Sequence, residues 1–127
     1  MDKKRLLEQL AARLRETAQI AKVAMEAAAR EARDGATAAE KRENASVSQE
    51  NSSLARGHLA RHDRAVEDLE QLAKFSPPVL APRARIAIGA IVEVEDEREG
   101  RTFFLAPVGA GIELTGPGGA GFLSVVT

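Results

Sequence analysis

A proline-rich break, SPPVLAPR at residues 76–83, divides the chain into two parts of different composition. Its three prolines stop a helix, because proline lacks a backbone N–H, and they force extended backbone. Good helix formers, chiefly Ala, Leu, Glu, Arg and Gln, dominate the residues before the break. β-Branched residues and eight of the ten glycines follow it. The sequence therefore predicts an α+β chain in which a helical part precedes a β part.

Composition favours long amphipathic elements over a large globular core. The 127 residues include four Phe and neither Trp nor Tyr, so burial has to come mostly from aliphatic side chains. Residues 1–75 hold 14 basic and 13 acidic side chains, so they lack the basic face that direct nucleic-acid binding requires. There is no cysteine, no signal-peptide pattern and no apolar run of membrane-spanning length. We therefore expect a cytoplasmic protein without a membrane partner.

Residues 1–75 are predicted to form an antiparallel helical hairpin with an acidic tip near residues 34–50. The first helix is expected to start at Asp2, as the N-cap, and to end near Arg33. Both helices carry an apolar seam in steps of three and four residues, interrupted once at Thr17. The seam positions are Leu7, Leu10, Leu14, Ala21, Ala24 and Ala28 in the first helix, and Ala55, Leu59, His62, Val66, Leu69 and Ala73 in the second.

Residues 85–127, after a linker at 76–84, are predicted to form a small antiparallel β domain. The period-two pattern of RIAIGAIVEVED predicts a strand with Ile86, Ile88, Ala90, Val92 and Val94 on one face. RTFFLAPV, GIELT and FLSVVT are further strand candidates, and together they suggest a meander of four strands. So few residues are marginal for an independent core, and the last ones are still in a strand pattern. We therefore expect an incomplete domain, through a missing segment, truncation or completion by a partner.

Two motifs in this chain resemble the GreA/GreB family of bacterial transcript-cleavage factors. The β part follows the family pattern at Gly89, Ala90, Val92, Val94, Glu95 and Asp96, and later at Val108 and Gly109. The tip follows it at Glu40, Lys41, Arg42, Glu43, Asn44 and Ala45, although the family usually has Asp in place of Glu40, and departs from it at Ala39, Ser46 and Val47. The resemblance implies a helical hairpin followed by a C-terminal domain of FKBP-like fold. The family's continuation after the last strand is missing here.

The resemblance also implies a role in transcription elongation. Gre factors insert the hairpin into the secondary channel of RNA polymerase and stimulate cleavage of backtracked RNA by the polymerase. The expected partner is therefore bacterial RNA polymerase, with RNA contacted only indirectly, and the chain is not itself an enzyme. Glu40 and Glu43 are the expected catalytic carboxylates, which assist Mg²⁺ of the polymerase active site, and Asn44 and Asp34 support the tip. No intrinsic metal or cofactor is expected.

Other interpretations of the same residues stay open. Lys41 and Arg42 partly neutralise the tip, which suits a secondary-channel regulator without cleavage activity. The helices also suit a coiled-coil oligomerisation or adaptor protein. An FKBP-like prolyl isomerase or chaperone is disfavoured, because four Phe residues can hardly line its pocket. His58 and His62 have the spacing of metal ligands but no third ligand, so packing and surface polarity are the expected roles.

Overall fold

The computed structural model describes residues 2–34, 45–81, 83–95, 97–116 and 122–127, except for the side chains of residues 34, 45–48 and 122. Within these described residues, two long helices precede four short strands: α1 Lys3–Asp34, α2 Ala45–Lys74, β1 Ile91–Glu95, β2 Gly100–Leu105, β3 Glu113–Thr115 and β4 Phe122–Val126. The helices pack together, so the predicted α+β fold with an N-terminal helical hairpin is confirmed. Neither helix, over its described residues, combines the length and apolar content needed to cross a membrane.

Packing divides the chain into two compact units. One, the sheet unit, contains Met1–Leu14 and Asp68–Thr127, and the other, the helical unit, contains Arg15–Glu67. Each unit therefore includes a part of both helices. The predicted division into hairpin, linker and β domain follows secondary structure rather than packing, and it stays a prediction.

Helix α1 begins as the sequence predicts. The backbone N–H of Lys4 donates to Oδ1 of Asp2 at 3.0 Å, and the N–H of Arg5 donates to the same oxygen at 3.4 Å. Asp2 is therefore the N-cap, because its carboxylate satisfies donors that have no partner inside the helix. Helix α1 ends at Asp34, one residue past the predicted end, whereas α2 already begins at Ala45, within the tip predicted for residues 34–50.

The buried seam of α1 is displaced slightly from the predicted one. Leu6 is 2% exposed and is buried in place of Leu7, which is half-buried. Ala18 is also buried and supplies the position that the predicted pattern misses at Thr17. In this part of α1 the buried residues thus follow steps of four, which keeps them on one slowly turning face of a helix.

The seam of α2 differs more clearly from the prediction. Ala65 and Leu72 are buried, whereas Leu59 and Ala73, both predicted seam residues, are exposed. Adjacent residues on a helix are about 100° apart, so a shift of one position exchanges a buried residue for one at the flank. The apolar spacing alone identified the correct side of α2 but not its centre.

The four strands form one mixed sheet in the order β1-β2-β4-β3. Strands β1 and β2 pair antiparallel, as do β3 and β4, but β2 and β4 pair parallel. The predicted antiparallel meander is therefore wrong in strand order and in one pairing, although its three later strands exist. Strand β4 takes a central position, where its buried side chains Leu123 and Val125 have neighbours on both sides.

Strand β1 is shorter than predicted and turns a different face to the core. It begins at Ile91 because Gly89 lies in a turn with φ +98°, which interrupts the extended backbone. Ile86 and Ile88 lie before that turn and are 67% and 41% exposed. The predicted apolar face is therefore wrong, and Ile91 packs against the core instead.

The core of the sheet unit lies between the sheet and the helix segments of the same unit. Its buried members are Leu6, Leu10 and Leu14 of α1, Leu72 of α2, and Phe104, Ala106, Val108, Leu114, Leu123 and Val125 of the β part. Burying a large aliphatic or aromatic side chain contributes about 1.5–3 kcal/mol. This cluster is therefore a major source of stability in the sheet unit, and the β part gains its core by recruiting helix residues.

Candidate functional site

The predicted tip residues are only partly within the described chain. Glu40, Glu43 and Asn44 lie outside the described residues, as does the side chain of Asp34. Asp34 is the last residue of α1, and Asn44 directly precedes the first residue of α2 in the sequence. The helix ends that flank the tip belong to the same compact unit. The roles assigned to these four residues stay predictions.

Small side chains hold the helical unit together. Ala18 and Ala21 of α1 and Ala65 of α2 are buried, at 8%, 6% and 3% exposure. Small residues at a helix contact shorten the distance between the helix axes, because that distance depends on the side chains in the contact. Among the described residues of the helical unit, the fully buried apolar side chains are thus all small.

The histidine pair on α2 gives no support to a metal site. His58 and His62 are both half-buried, and Nδ1 of His62 lies 3.1 Å from Oδ1 of the neighbouring Asp63. Within the described part of the chain, no group of three His, Cys, Asp or Glu side chains is placed to hold a metal ion. A local polar contact accounts for His62.

The motif glycines of the β part are required by backbone conformation and packing. Gly109 has φ +92°, and a Cβ at this position would lie 2.6 Å from Cδ1 of Leu10. Gly89 has φ +98°, and a Cβ there would lie 2.7 Å from Cδ of Pro78. L-residues rarely adopt such φ values, and the space is already filled. Gly109 thus allows a loop of the β part to lie directly on the start of α1.

The remaining residues of that motif also have structural positions. Ala90 and Val108 are buried, Val92 is half-buried, Val94 and Glu95 are exposed, and Asp96 lies outside the described residues. Buried small and branched residues next to constrained glycines are a signal of fold, since they determine how the sheet packs. The described part of this motif therefore carries information about architecture more than about chemistry.

One polar contact of the sheet unit was not anticipated from the sequence. The carboxamide of Gln9 accepts a hydrogen bond from the N–H of Thr115 at 2.9 Å and donates one to its carbonyl oxygen at 3.0 Å. A carboxamide carries one acceptor and a donor in nearly the arrangement of a peptide group. Gln9 therefore binds the outer edge of β3 as another strand would. The two residues are 106 positions apart, so no local pattern could reveal the contact.

A groove of about 390 Å³ lies beside β1 in the sheet unit. The charged residues Lys3, Arg85 and Glu93 and several aliphatic residues line its described part, and no aromatic residue does. A prolyl isomerase needs an apolar pocket with aromatic walls to bind its peptide. The lining of this groove therefore does not favour the isomerase interpretation.

A second groove, of about 670 Å³, runs along α2 in the helical unit. Its described lining includes Glu50, Leu54, Gly57 and Arg61.

Comparison with known proteins assigns no family to the chain. No family model, no curated protein and no solved structure gives a significant match. The resemblance to the GreA/GreB factors therefore rests on the motif residues of the tip and of the β part alone.

Proposed function

We propose that the chain is an accessory factor of bacterial RNA polymerase, which inserts its helical hairpin into the secondary channel and stimulates cleavage of backtracked RNA. The observation that supports this most is the pair of packed helices, of 32 and 30 residues, joined by a short segment that contains Glu40 and Glu43. At 1.5 Å per residue each helix is about 45 Å long. Two such helices suit delivery of a tip into a deep channel.

The proposed chemistry needs only carboxylate oxygens from this chain. Mg²⁺ takes oxygen ligands and keeps several bound waters. An added carboxylate therefore strengthens the binding of a weakly held Mg²⁺ and orients one of its water molecules. Glu40 and Glu43 are three residues apart, a spacing that places side chains on one side of a helical turn. The polymerase supplies the Mg²⁺ and the nuclease activity, so the chain requires no metal or cofactor of its own.

Replacing both tip glutamates tests the proposal. We expect Glu40→Ala with Glu43→Ala to reduce stimulated RNA cleavage by at least about tenfold, because the added metal ligands are lost. Binding to core polymerase in a pull-down should not change. The matched control is Glu67→Ala with Glu70→Ala, which removes two exposed glutamates of α2 at the same spacing. Full cleavage by the tip variant would refute the role of these carboxylates.

A regulator that occupies the channel without promoting cleavage is the second candidate. It is favoured by Lys41 and Arg42, which lie between the two glutamates and reduce the negative charge of the tip. Polymerase binding by the unmodified chain without any stimulated cleavage would select this candidate. Failure to bind core polymerase would remove both candidates.

A further inference from the structure

An exposed stripe of α1 in the helical unit has no role in the hairpin seam. The outer stripe, as we call it, consists of Glu16, Ile20, Val23, Ala27 and Arg30, all exposed. Ile20 and Val23 are 62% and 55% exposed, although both are large and apolar. Single apolar residues on a surface are ordinary, but Ile20 and Val23 lie next to each other on one face of the helix, with Ala27 beside them.

The outer stripe has the spacing of a coiled-coil seam. Its members follow one another at intervals of four, three, four and three residues, so they share one face of the helix. At about 100° per residue, that face points away from the buried residues Ala18 and Ala21. Helix α1 thus carries two seams: an inner one that packs against α2 and an outer one whose members are exposed.

The order of residues in the outer stripe is self-complementary. From its N-terminal end the stripe has an acidic residue, then Ile, Val and Ala, and finally a basic residue. A second copy that lies antiparallel presents the same residues in reverse order. Val23 then faces Val23 of the second copy, and the larger Ile20 faces the smaller Ala27. At each end Glu16 faces Arg30, so both ends carry opposite charges. A two-fold axis at Val23 produces all these pairings at once, as an isologous interface requires.

We propose that the outer stripe is a self-association surface, on which a second copy of this chain binds through an antiparallel α1–α1 contact. The charge pattern favours this occupant, because a membrane surface would need a predominantly basic polar face around the apolar residues. The inference does not depend on the proposed function, since it involves neither the tip nor polymerase. The outer stripe contributes five positions per copy, so the contact is small and dimerisation is expected to be weak.

Sedimentation equilibrium of the full-length chain over a range of concentrations tests the proposal. The unmodified chain should pass from monomer to dimer as its concentration rises. Val23→Lys places two like charges at the two-fold axis and should weaken the dimer by at least about tenfold. The control is Val79→Lys, the same substitution at a fully exposed position of the sheet unit, which should leave Kd unchanged.

A charge-reversal cycle tests the antiparallel pairing. Glu16→Arg alone and Arg30→Glu alone create two like-charge pairs per dimer, and each should weaken association about tenfold. The double variant Glu16→Arg with Arg30→Glu restores opposite charges and should return Kd to within about threefold of the original. Circular dichroism checks that each variant keeps its helices.

Three results would overturn the proposal. A chain that stays monomeric at all concentrations has no self-association surface. A dimer whose Kd does not change with Val23→Lys associates through a surface other than the outer stripe. Failure of the double variant to recover association, with helices intact, would reject the antiparallel register. None of these measurements involves polymerase or the tip glutamates, so their failure is distinct from failure of the proposed function.

Discussion

The two compact units bury apolar side chains of different size. The sheet unit encloses large ones, with Leu10 and Phe104 both at 0% exposure. The helical unit buries alanines such as Ala21 and Ala65 and leaves Ile20 62% exposed. Hydrophobic stabilisation is roughly proportional to the apolar area removed from water. Hydrophobic stabilisation from the described core is therefore concentrated in the sheet unit, whereas the fully buried residues of the helical unit are small.

Truncating one large aliphatic residue in each unit should give the largest difference in unfolding free energy between the two units. Leu10→Ala should lower the free energy of unfolding by about 2–5 kcal/mol, because it removes a buried side chain and leaves a cavity. Ile20→Ala should change it by no more than about 0.5 kcal/mol, since Ile20 is exposed and Ala is the better helix former. Urea unfolding followed by circular dichroism at low protein concentration measures both. Equal losses would contradict the difference between the units.

The sequence predicted the elements of the fold well, but not how the strands combine. Helix ends and strand existence depend on local signals, such as the N-cap Asp2 and the proline-rich break. The parallel pairing of β2 with β4 depends on residues far apart in the chain, so the spacing of apolar residues could not show it. The alternating pattern predicts a strand at Ile86 and Ile88 because it continues through Gly89. The positive φ of Gly89 interrupts the extended backbone there.

The residues of the candidate site were less accessible to such local sequence signals than the elements of the fold. The roles of Glu40, Glu43 and Asn44 follow from the resemblance to a family motif, and these residues lie outside the described part of the chain, so their roles stay predictions. The outer stripe contains ordinary helix-forming residues, and only their exposure in the folded chain separates them from a buried seam. Sequence spacing identifies an amphipathic face, whereas structure decides which face is already occupied.

Substitution of two glycines in the sheet unit should give the next largest loss of unfolding free energy. Gly109 and Gly111 have similar φ values, +92° and +88°, but a Cβ at Gly109 meets Leu10 whereas one at Gly111 meets nothing within 4 Å. Gly111→Ala should cost about 1–2 kcal/mol of unfolding free energy, from backbone strain alone. Gly109→Ala should cost about 2–4 kcal/mol, because overpacking is added to the strain.

Combining Gly109→Ala with Leu10→Ala separates strain from overpacking. The shortened side chain at position 10 leaves space for the new methyl group, so the combined loss should be smaller than the sum of the single losses. Gly111→Ala combined with Leu10→Ala should be additive, since Gly111 has no such contact. Thermal or urea unfolding of the variants gives the coupling. Additivity in both pairs would mean that Leu10 does not limit the space at Gly109.

The smallest expected effect concerns the polar contact between α1 and the sheet edge. Gln9→Ala removes both hydrogen bonds to Thr115 and should lower the unfolding free energy by about 1–2 kcal/mol, since each such bond contributes roughly 0.5–1.5 kcal/mol. The amide proton of Thr115 should exchange with solvent at least about tenfold faster, because its acceptor is lost. Hydrogen exchange followed by NMR measures this at the residue itself.

Gln19→Ala is the matched control, since Gln19 is an exposed glutamine of the same helix in the helical unit. It should change neither stability nor the exchange rate of Thr115. An unchanged exchange rate in Gln9→Ala would mean that the carboxamide of Gln9 does not protect the amide of Thr115 from solvent. The contact between the sheet and the start of α1 would then depend chiefly on the apolar core of the sheet unit. A faster exchange rate would instead show that α1 also serves as the polar neighbour of an edge strand, which otherwise exposes unpaired backbone groups.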